Sequence, residues 1–183
     1  MKRFFYLSFL LLSITVTGGV RAEKADADKP TNVEADQMAY DDVRQINSFT
    51  GNVILTRGTL IMRGAKLVVM QDPAGYQFAT LTAAPGALAT FRQKRDGGPN
   101  LWIEGQAERI EYDGKAELVK LFSKAKMRRL EGTKPTDEVE GEFISYDSRA
   151  EFFAVNNTAT GETKPGGGRI KAVIQPRSEA KGK

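Results

Sequence analysis

The acidic side chains of this 183-residue chain are the groups best suited to chemistry, because the sequence contains no histidine and no cysteine. Glu104, Glu108, Glu111 and Asp113 form its densest group of carboxylates. Paired carboxylates can supply the acid, the base or the nucleophile of a glycosidase. Carboxylates are also typical of the solvated strand face opposite an apolar one. A glycan-processing enzyme and an outward-facing polar surface are therefore both open interpretations.

Other polar groups carry weaker signals. Glu138, Glu140 and Glu142 are spaced by two and share one face of a strand. No acidic group has the aspartate–asparagine–glycine spacing of a calcium loop, and a chain without cysteine forms no disulfide or thiolate metal site. Residues 166–168 are glycines that lack the following Lys-Ser/Thr of a phosphate loop, so they predict a hinge. The sequence predicts no cofactor and no metal.

A cluster of basic residues lies at Lys124, Lys126, Arg128 and Arg129. Such a strand can present an outward face that protects an exposed sheet edge. It can also form a patch that meets anionic sugar phosphates at the mouth of a groove. Both interpretations fit the pattern.

The first 22 residues predict a cleaved signal peptide. Lys2 and Arg3 precede an apolar run at 4–16, and Val20-Arg21-Ala22 places small residues where a signal peptidase cleaves. The mature chain is expected to begin near Glu23 and to work outside the cytoplasm. Without the leader the two signs of charge nearly balance, which argues against a nucleic-acid binder.

The rest of the chain alternates apolar and polar residues with period two, which predicts β-strands. No segment has a sustained helical pattern, so the fold class is all-β. Asp113-Gly114 predicts a two-residue type I′ hairpin. The predicted strand segments are Phe49–Gly58, Thr59–Arg63, Ala65–Met70, Tyr76–Thr82, Ala87–Gln93, Asn100–Ile103 and Ala107–Tyr112.

One short pattern occurs three times, at Met38–Ile46, Ile110–Leu118 and Ile144–Phe152. Each copy has an apolar residue, a spacer and then Tyr-Asp before a polar turn. Gly64–Met70 fits as a degenerate fourth copy without the Tyr-Asp. Repeats of this length indicate units that bury their apolar faces by stacking. We therefore predict that each Tyr-Asp marks the corner of a stacked β unit.

The apolar faces of these strands can close into a dry core or stay open as a trough for an apolar ligand. A closed core would make the chain a purely structural β protein that binds no amphiphile. The alternation pattern is the same in both cases, so it leaves both open.

Several short stretches resemble the OstA-like family. The resemblance extends over roughly Pro30 to Pro176, and it departs at Phe122–Ala125, where the family often repeats a Thr-Gly-Asn motif. The stretches that carry it are Asp36-Gln37, Phe49–Val53, Gly58-Thr59, Ala65–Val69, Ala89–Phe91, Glu104–Tyr112 and Val139–Tyr146.

This resemblance implies a V-shaped, twisted β-jelly roll of stacked short antiparallel strands with an apolar interior groove. It implies a non-enzymatic periplasmic protein that binds the lipid A portion of lipopolysaccharide and joins copies of itself head to tail. Its other implied partners are an inner-membrane ABC transporter complex with its bitopic β-jelly-roll subunit, and the outer-membrane lipopolysaccharide translocon. These expectations favour the open trough, because acyl chains that cross water need apolar cover.

The same resemblance implies lipid contacts at Thr31, Val33, Phe91 and Tyr112. Alternation and the repeats extend this inward, lipid-binding set. The added residues are Met38, Tyr40, Val53, Leu55, Leu67, Val69, Ile110, Ile144 and Tyr146.

The predicted domain spans 30–176, and a disordered polar tail is expected at 177–183. The first strand, Thr31–Asp36, and the last, Arg169–Gln175, are the expected partners in end-to-end association. Two alternatives to the bridging function stay open. One is the inner-membrane-anchored partner of the same transport system, and the other is a periplasmic glycan-processing enzyme.

Overall fold

The fold is described from a computed structural model of the chain, which covers Asp26 and residues 29–98 and 100–176. The expected signal peptide at 1–22 and the expected tail at 177–183 lie outside the described residues. Every element assigned in the described part is a β-strand, which confirms the all-β prediction. No helix in that part is long and apolar enough to cross a membrane.

The strands form one antiparallel sheet that folds over on itself. In chain order they are β1 (Asn32–Glu34), β2 (Gln37–Asp41), β3 (Ile46–Arg57), β4 (Leu60–Gln71), β5 (Gln77–Thr82), β6 (Ala89–Lys94), β7 (Leu101–Ala107), β8 (Arg109–Asp113), β9 (Leu118–Glu131), β10 (Lys134–Asp147), β11 (Phe152–Asn156) and β12 (Lys171–Ile174).

The pairing divides this sheet into two halves, which we call the first and second leaf. The first leaf contains β2, β5, β8 and β11, and the second contains β1, β6, β7 and β12. The long strands β3, β4, β9 and β10 run through both leaves. The side chains of directly paired residues lie on the same face of a sheet. The pairing therefore shows which side chains share a surface.

The long strands bend where they pass from one leaf to the other. In β3 the bend is at Gly51 and Asn52, which have φ values of 82° and 47°. The Asn52 side chain donates to Asp36 at 3.0 Å, and the Asp36 amide donates to the Gly51 carbonyl at 3.0 Å. The Thr-Gly-Asn motif is therefore the bulge that turns the strand.

A second bend in β9 repeats this arrangement with other residues. Ser123 and Lys124 have φ values of 62° and 53°, and the Glu108 amide donates to the Ser123 carbonyl at 3.1 Å. Lys124 Nζ lies 2.8 Å from Glu108, as Asn52 lies beside Asp36 in the first bend. Residues 122–125, where the sequence departs from the family's Thr-Gly-Asn motif, therefore form the bend in β9 that is equivalent to the bend in β3. An ion pair there replaces the amide–carboxylate hydrogen bond.

The three Tyr-Asp pairs end strands β2, β8 and β10, which confirms that they mark corners. The Asp113 carboxylate accepts from the amides of Lys115 and Ala116, both at 2.9 Å, and Asp41 and Asp147 cap their turns in the same way. Each four-residue turn ends in a left-handed residue, Gln45, Glu117 or Glu151, with φ near 50°.

The predicted type I′ hairpin at Asp113-Gly114 is wrong, because the turn spans residues 114–117. Glu117, and not Gly114, takes the positive φ. Gly114 serves a different need: its amide donates to the Gln77 carbonyl at 2.9 Å, and a Cβ there would lie 2.5 Å from the same oxygen.

Two further expectations are corrected by the pairing. Thr59–Arg63 and Ala65–Met70 are parts of one continuous strand, β4, because Gly64 continues the sheet across the boundary between the leaves. The basic strand at 124–129 is no sheet edge, because β9 pairs with β10 on one side and with β7 and β8 on the other.

The core lies where the two leaves meet. Leu67, Leu81, Ile110, Leu121 and Ile144 form a fully buried cross-strand row of the first leaf. The adjoining part of the second leaf has small buried residues at Ala89, Ala107 and Ala125, which allow close approach of the leaves. One end of the space between the leaves is therefore a dry core.

Candidate functional site

The other end of this space is a cavity of about 410 Å³, within the size range of small-ligand pockets. Both leaves contribute to its wall. Its lining residues are Thr31, Leu55, Arg57, Leu60, Met62, Val69, Gln77, Ala79, Phe91, Gln93, Asp96, Tyr112, Gly114, Glu117, Val119, Tyr146, Ser148, Arg149 and Glu151. The sequence left open whether the apolar faces form a closed core or an open trough. The structure has both, as successive parts of the space between the leaves.

The apolar wall of the cavity follows from strand register. In the second leaf, Leu55 pairs with Met62 and Met62 pairs with Phe91. In the first leaf the corresponding row runs from Val69 through Ala79, Tyr112 and Val119 to Tyr146. Partners in such rows share one face, so a single register places all of these side chains on the cavity wall.

Phe91 takes its position through a glycine on the neighbouring strand. Its partner on β7 is Gly105, and a Cβ at that position would lie 2.9 Å from Phe91 Cζ and closer still to Cε1. The ring therefore lies over the backbone of β7, in space that the side chain of any residue other than glycine at position 105 would fill.

Six of the predicted lipid-binding residues line the cavity: Thr31, Leu55, Val69, Phe91, Tyr112 and Tyr146. Val53, Leu67, Ile110 and Ile144 point inward as expected, but they are buried in the core next to the cavity and do not line it. Val33 packs against the core from β1.

Met38 and Tyr40 do not have the buried environment that their alternation predicted. By register Met38 lies beside Phe49 on the inward face, yet 58% of Met38 and 51% of Tyr40 are exposed. The reason is that β2 is an edge strand of the first leaf and pairs only with β3 among the described residues. The Tyr40 hydroxyl donates to Asp42 at 3.0 Å, and this carboxylate raises the pKa of Tyr40.

Sequence reasoning missed several wall residues. Met62 was missed because β4 was divided into two strands, although the turn at Gly58-Thr59 places Met62 opposite Leu55. Arg57 was missed because a charged residue at a strand end is usually solvated. The sequence did contain a signal for both, because residues two apart on a strand share a face. Arg57 lies two residues after Leu55, and Met62 lies two residues after Leu60.

The polar lining residues lie at strand ends and in turns, and we call this side of the cavity its mouth. Contacts between the leaves cross it. Arg57, at the end of β3, donates to the Tyr112 hydroxyl at 3.4 Å, and its guanidinium lies 5.4 Å from the ring centroid. Arg95 also forms an ion pair with Glu151 between the leaves, and Arg129 donates to the Glu151 carbonyl at 2.6 Å. Arg129 also lies over the Phe153 ring.

The carboxylates considered for catalysis are elsewhere. Glu104 binds Arg92 at 2.5 Å and Arg128 at 2.9 Å, and Glu108 and Glu111 also have basic partners. With Asp113 capping its turn, none of the four lines the cavity.

The acidic residues of β10 also pair outside the cavity. Lys126 bonds Glu138 at 2.7 Å and Glu140 at 3.0 Å; these contacts raise the pKa of Lys126, and Lys126 lowers the pKa of Glu140. Most of the basic cluster is thus neutralised outside the cavity, and Arg129 alone of the four reaches its mouth. The described residues contain no group of three acidic side chains arranged to hold a metal.

The chain is similar in sequence to known proteins over nearly its whole length. The lipopolysaccharide export system protein LptA of Haemophilus influenzae is 25% identical over 177 residues, which cover 96% of this chain and 95% of that protein. LptA of Escherichia coli K12 is 32% identical over 125 residues, 68% of this chain and 63% of that protein. These relatives are export components, which confirms the expectation that the chain is not an enzyme.

A solved structure supports the same relationship. The crystal structure of LptH from Pseudomonas aeruginosa, described as the LptA-homologous periplasmic component of the lipopolysaccharide transport device, has a TM-score of 0.70 and 26% identity. The match covers 82% of this chain and 99% of that one. It confirms the twisted, V-shaped β-jelly roll.

The family described as LptA/(LptD N-terminal domain) LPS transport protein matches residues 32–152, a span that begins at β1 and ends at β11. This span contains both bends, all three Tyr-Asp corners and most of the cavity wall. The chain belongs to this family of lipopolysaccharide transport proteins.

Proposed function

We propose that this chain is a periplasmic lipopolysaccharide carrier that holds the acyl chains of lipid A between its two leaves. The observation that carries this proposal is the cavity of about 410 Å³, with an apolar wall and a polar mouth. Acyl chains in water are driven into apolar surroundings, whereas a phosphorylated sugar stays solvated. An interior that is apolar below and polar at its mouth matches both parts of such an amphiphile.

The carrier acts as a bridge between the two membranes. It receives lipopolysaccharide from the inner-membrane ABC transporter complex through the bitopic β-jelly-roll subunit, and passes it along an apolar groove to the outer-membrane translocon. The chain has no catalytic step in this scheme, and the transporter supplies the energy. The names of the relatives support a role in export, and the continuous apolar row from Leu55 to Phe91 supports a groove.

Head-to-tail joining of copies extends the groove. Each leaf ends in strands with one neighbour among the described residues: β2 and β11 in the first leaf, β1 and β12 in the second. Unpaired amides and carbonyls on such edges are templates for strand addition. Val173 and Ile174 on β12 are exposed apolar side chains that a joined copy would cover.

Photo-crosslinking in living cells tests the proposal with an internal control. Phe91 and Arg92 are adjacent on β6, but Phe91 lines the cavity and Arg92 lies on the outer face beside Glu104. A photoreactive residue at position 91 is expected to form a lipopolysaccharide adduct, whereas the same residue at 92 is expected to form none. Adducts of equal yield at both positions would contradict binding between the leaves.

A further inference from the structure

The mouth of the cavity has an unusual set of unsatisfied polar groups. Among the described residues, the buried side-chain nitrogens and oxygens without a hydrogen-bond partner are the Nε atoms of Arg57, Arg95 and Arg129. Arg57 lines the cavity, and the other two bind its lining residue Glu151. Buried polar groups in folded proteins nearly always have partners, so a buried donor without a protein partner at a cavity is a place where a ligand can supply the acceptor.

Arg57 is the member of this set with the weakest partners. No ion pair among the described residues includes it, and its bond to the Tyr112 hydroxyl is long at 3.4 Å. Arg92 and Arg128 on the outer face share the Glu104 carboxylate at 2.5 and 2.9 Å. Since the Arg57 guanidinium has only the Tyr112 hydroxyl and ring as partners in the described part of the chain, an anionic ligand can add the charge-assisted hydrogen bonds that a carboxylate supplies to the outer arginines.

The position of Arg57 relates it to an amphiphile. It follows Leu55 on the inward face of β3 and lies opposite Leu60, so its stem continues the apolar wall while its charged end reaches the mouth. A guanidinium binds phosphate through two parallel hydrogen bonds. Asp96, Glu117 and Arg149 also line the cavity, so the preference for an anion depends on contact at Arg57 and not on the net charge of the mouth.

We infer that Arg57 is a phosphate-binding residue, and that it takes a phosphate monoester on the headgroup of the amphiphile whose chains fill the cavity. The inference rests on the proposed lipid-carrying function and adds the group by which the ligand is recognised. On binding, the guanidinium leaves its weak contact with Tyr112 and its Nε–H gains the acceptor that it lacks.

The test compares lipid A with chemically dephosphorylated lipid A, using full-length mature protein. The wild type is expected to bind the phosphorylated form about ten-fold more tightly, a difference that one charge-assisted contact can supply. In Arg57→Gln this preference is expected to disappear, while affinity for the dephosphorylated form stays at the wild-type level. That second value shows that the variant cavity is intact.

Arg63→Gln is the matched control, because Arg63 is an exposed arginine on the outer face of β4, next to the cavity residue Met62. It removes the same charge and is expected to keep the ten-fold preference. An Arg57→Gln protein that keeps the preference, or that loses affinity for both ligands equally, would overturn the inference. Wild type that binds neither ligand would overturn the proposed function itself.

Competition with inorganic phosphate separates a headgroup from a free ion. Phosphate at millimolar concentration is expected to leave lipid A binding unchanged, because a free ion has no acyl chains to hold it at the mouth. Loss of the preference for lipid A in phosphate buffer, with binding of the dephosphorylated form intact, would assign the site to free phosphate and overturn the headgroup assignment.

Discussion

The ring of Phe91, which lines the cavity, lies over Gly105, its cross-strand partner on β7. The position of the ring depends on both residues. An aromatic side chain supplies apolar surface, and the absence of a side chain on the neighbouring strand lets that surface lie flat against the sheet. A change at Gly105 therefore acts on the cavity through Phe91.

Gly105→Ala is expected to push Phe91 into the cavity, because the new Cβ would overlap the ring. Overpacking of this kind costs about 1–3 kcal/mol, and the displaced ring takes up ligand space. Chemical denaturation and lipid A titration are expected to show lower stability and weaker binding together. Gly168→Ala, at a glycine whose added Cβ would meet no atom of the described residues within 4 Å, is the control and is expected to change neither. If Gly105→Ala bound lipid A with the affinity of the wild type, Phe91 would not be part of the binding site.

Leu55→Asp is expected to abolish lipid binding or unfold the protein. Leu55 is 5% exposed on the cavity wall, and an unpaired carboxylate there costs several kcal/mol. Glu111→Gln, on the outer face beside Arg109, is expected to bind lipid A and to unfold like the wild type. Equal effects of the two substitutions in denaturation and binding would mean that the inward and outward faces are assigned wrongly.

Ser123→Gly is expected to stabilise the protein by about 0.5–1 kcal/mol. Ser123 has a φ of 62°, a conformation that costs a non-glycine residue free energy, whereas glycine adopts it freely and loses only part of this gain through its own entropy. Gly51→Ser, at the equivalent bend in β3, is expected to destabilise, since a Cβ there lies 2.8 Å from Asp36 Cβ. Urea denaturation gives both values, and a less stable Ser123→Gly protein would contradict the equivalence of the bends.

The Glu140–Lys126 contact predicts a dependence of stability on pH. Lys126 lowers the pKa of Glu140 below its ordinary 4.5, so the contact stabilises the fold above that pH and is lost as pH falls below it. Both side chains are partly exposed, so the effect is small. In acid denaturation series Glu140→Gln is expected to lose less stability than wild type below pH 4.5, and Lys126→Gln is expected to show the same reduced slope. An unchanged slope in both variants would exclude this pair as the cause.

Val173→Lys is expected to block end-to-end growth. Val173 is exposed on the edge strand β12, and a lysine on a strand edge opposes the addition of another strand. Open head-to-tail contacts give masses that rise with concentration. Val43→Lys, which changes an exposed valine in a turn, is expected to keep this growth in light scattering. A fixed dimer mass in the wild type, or undiminished growth of Val173→Lys, would indicate association through another surface.

Local chemistry explains which features could be predicted from the sequence. Alternation sets the faces of Leu55 and Phe91, and an aspartate such as Asp147 caps its own turn, so both signals lie within a few residues. The exposure of Tyr40 could not be predicted in this way, because it depends on β2 being an edge strand, with β3 as its one partner in the described part of the chain. The bend at Ser123 was hidden for another reason: neither serine nor lysine marks a left-handed backbone as glycine does.

The contacts at the cavity mouth could not be predicted from the sequence either. The contacts of Glu151 with Arg95 and Arg129 join residues far apart in the chain, and no spacing rule relates them. Such a cluster exists only after the two leaves have folded together.

The central claim, that acyl chains lie between the leaves, is tested most directly by methyl NMR with spin-labelled lipid A. The purified protein is titrated in chelator with lipid A that carries a nitroxide on an acyl chain. The account predicts strong broadening of the Leu55, Leu60 and Val119 methyl signals, which line the cavity, and little change at Val173 on the outer edge. Broadening that is strongest at Val173, or absent from all three cavity residues, would contradict the account.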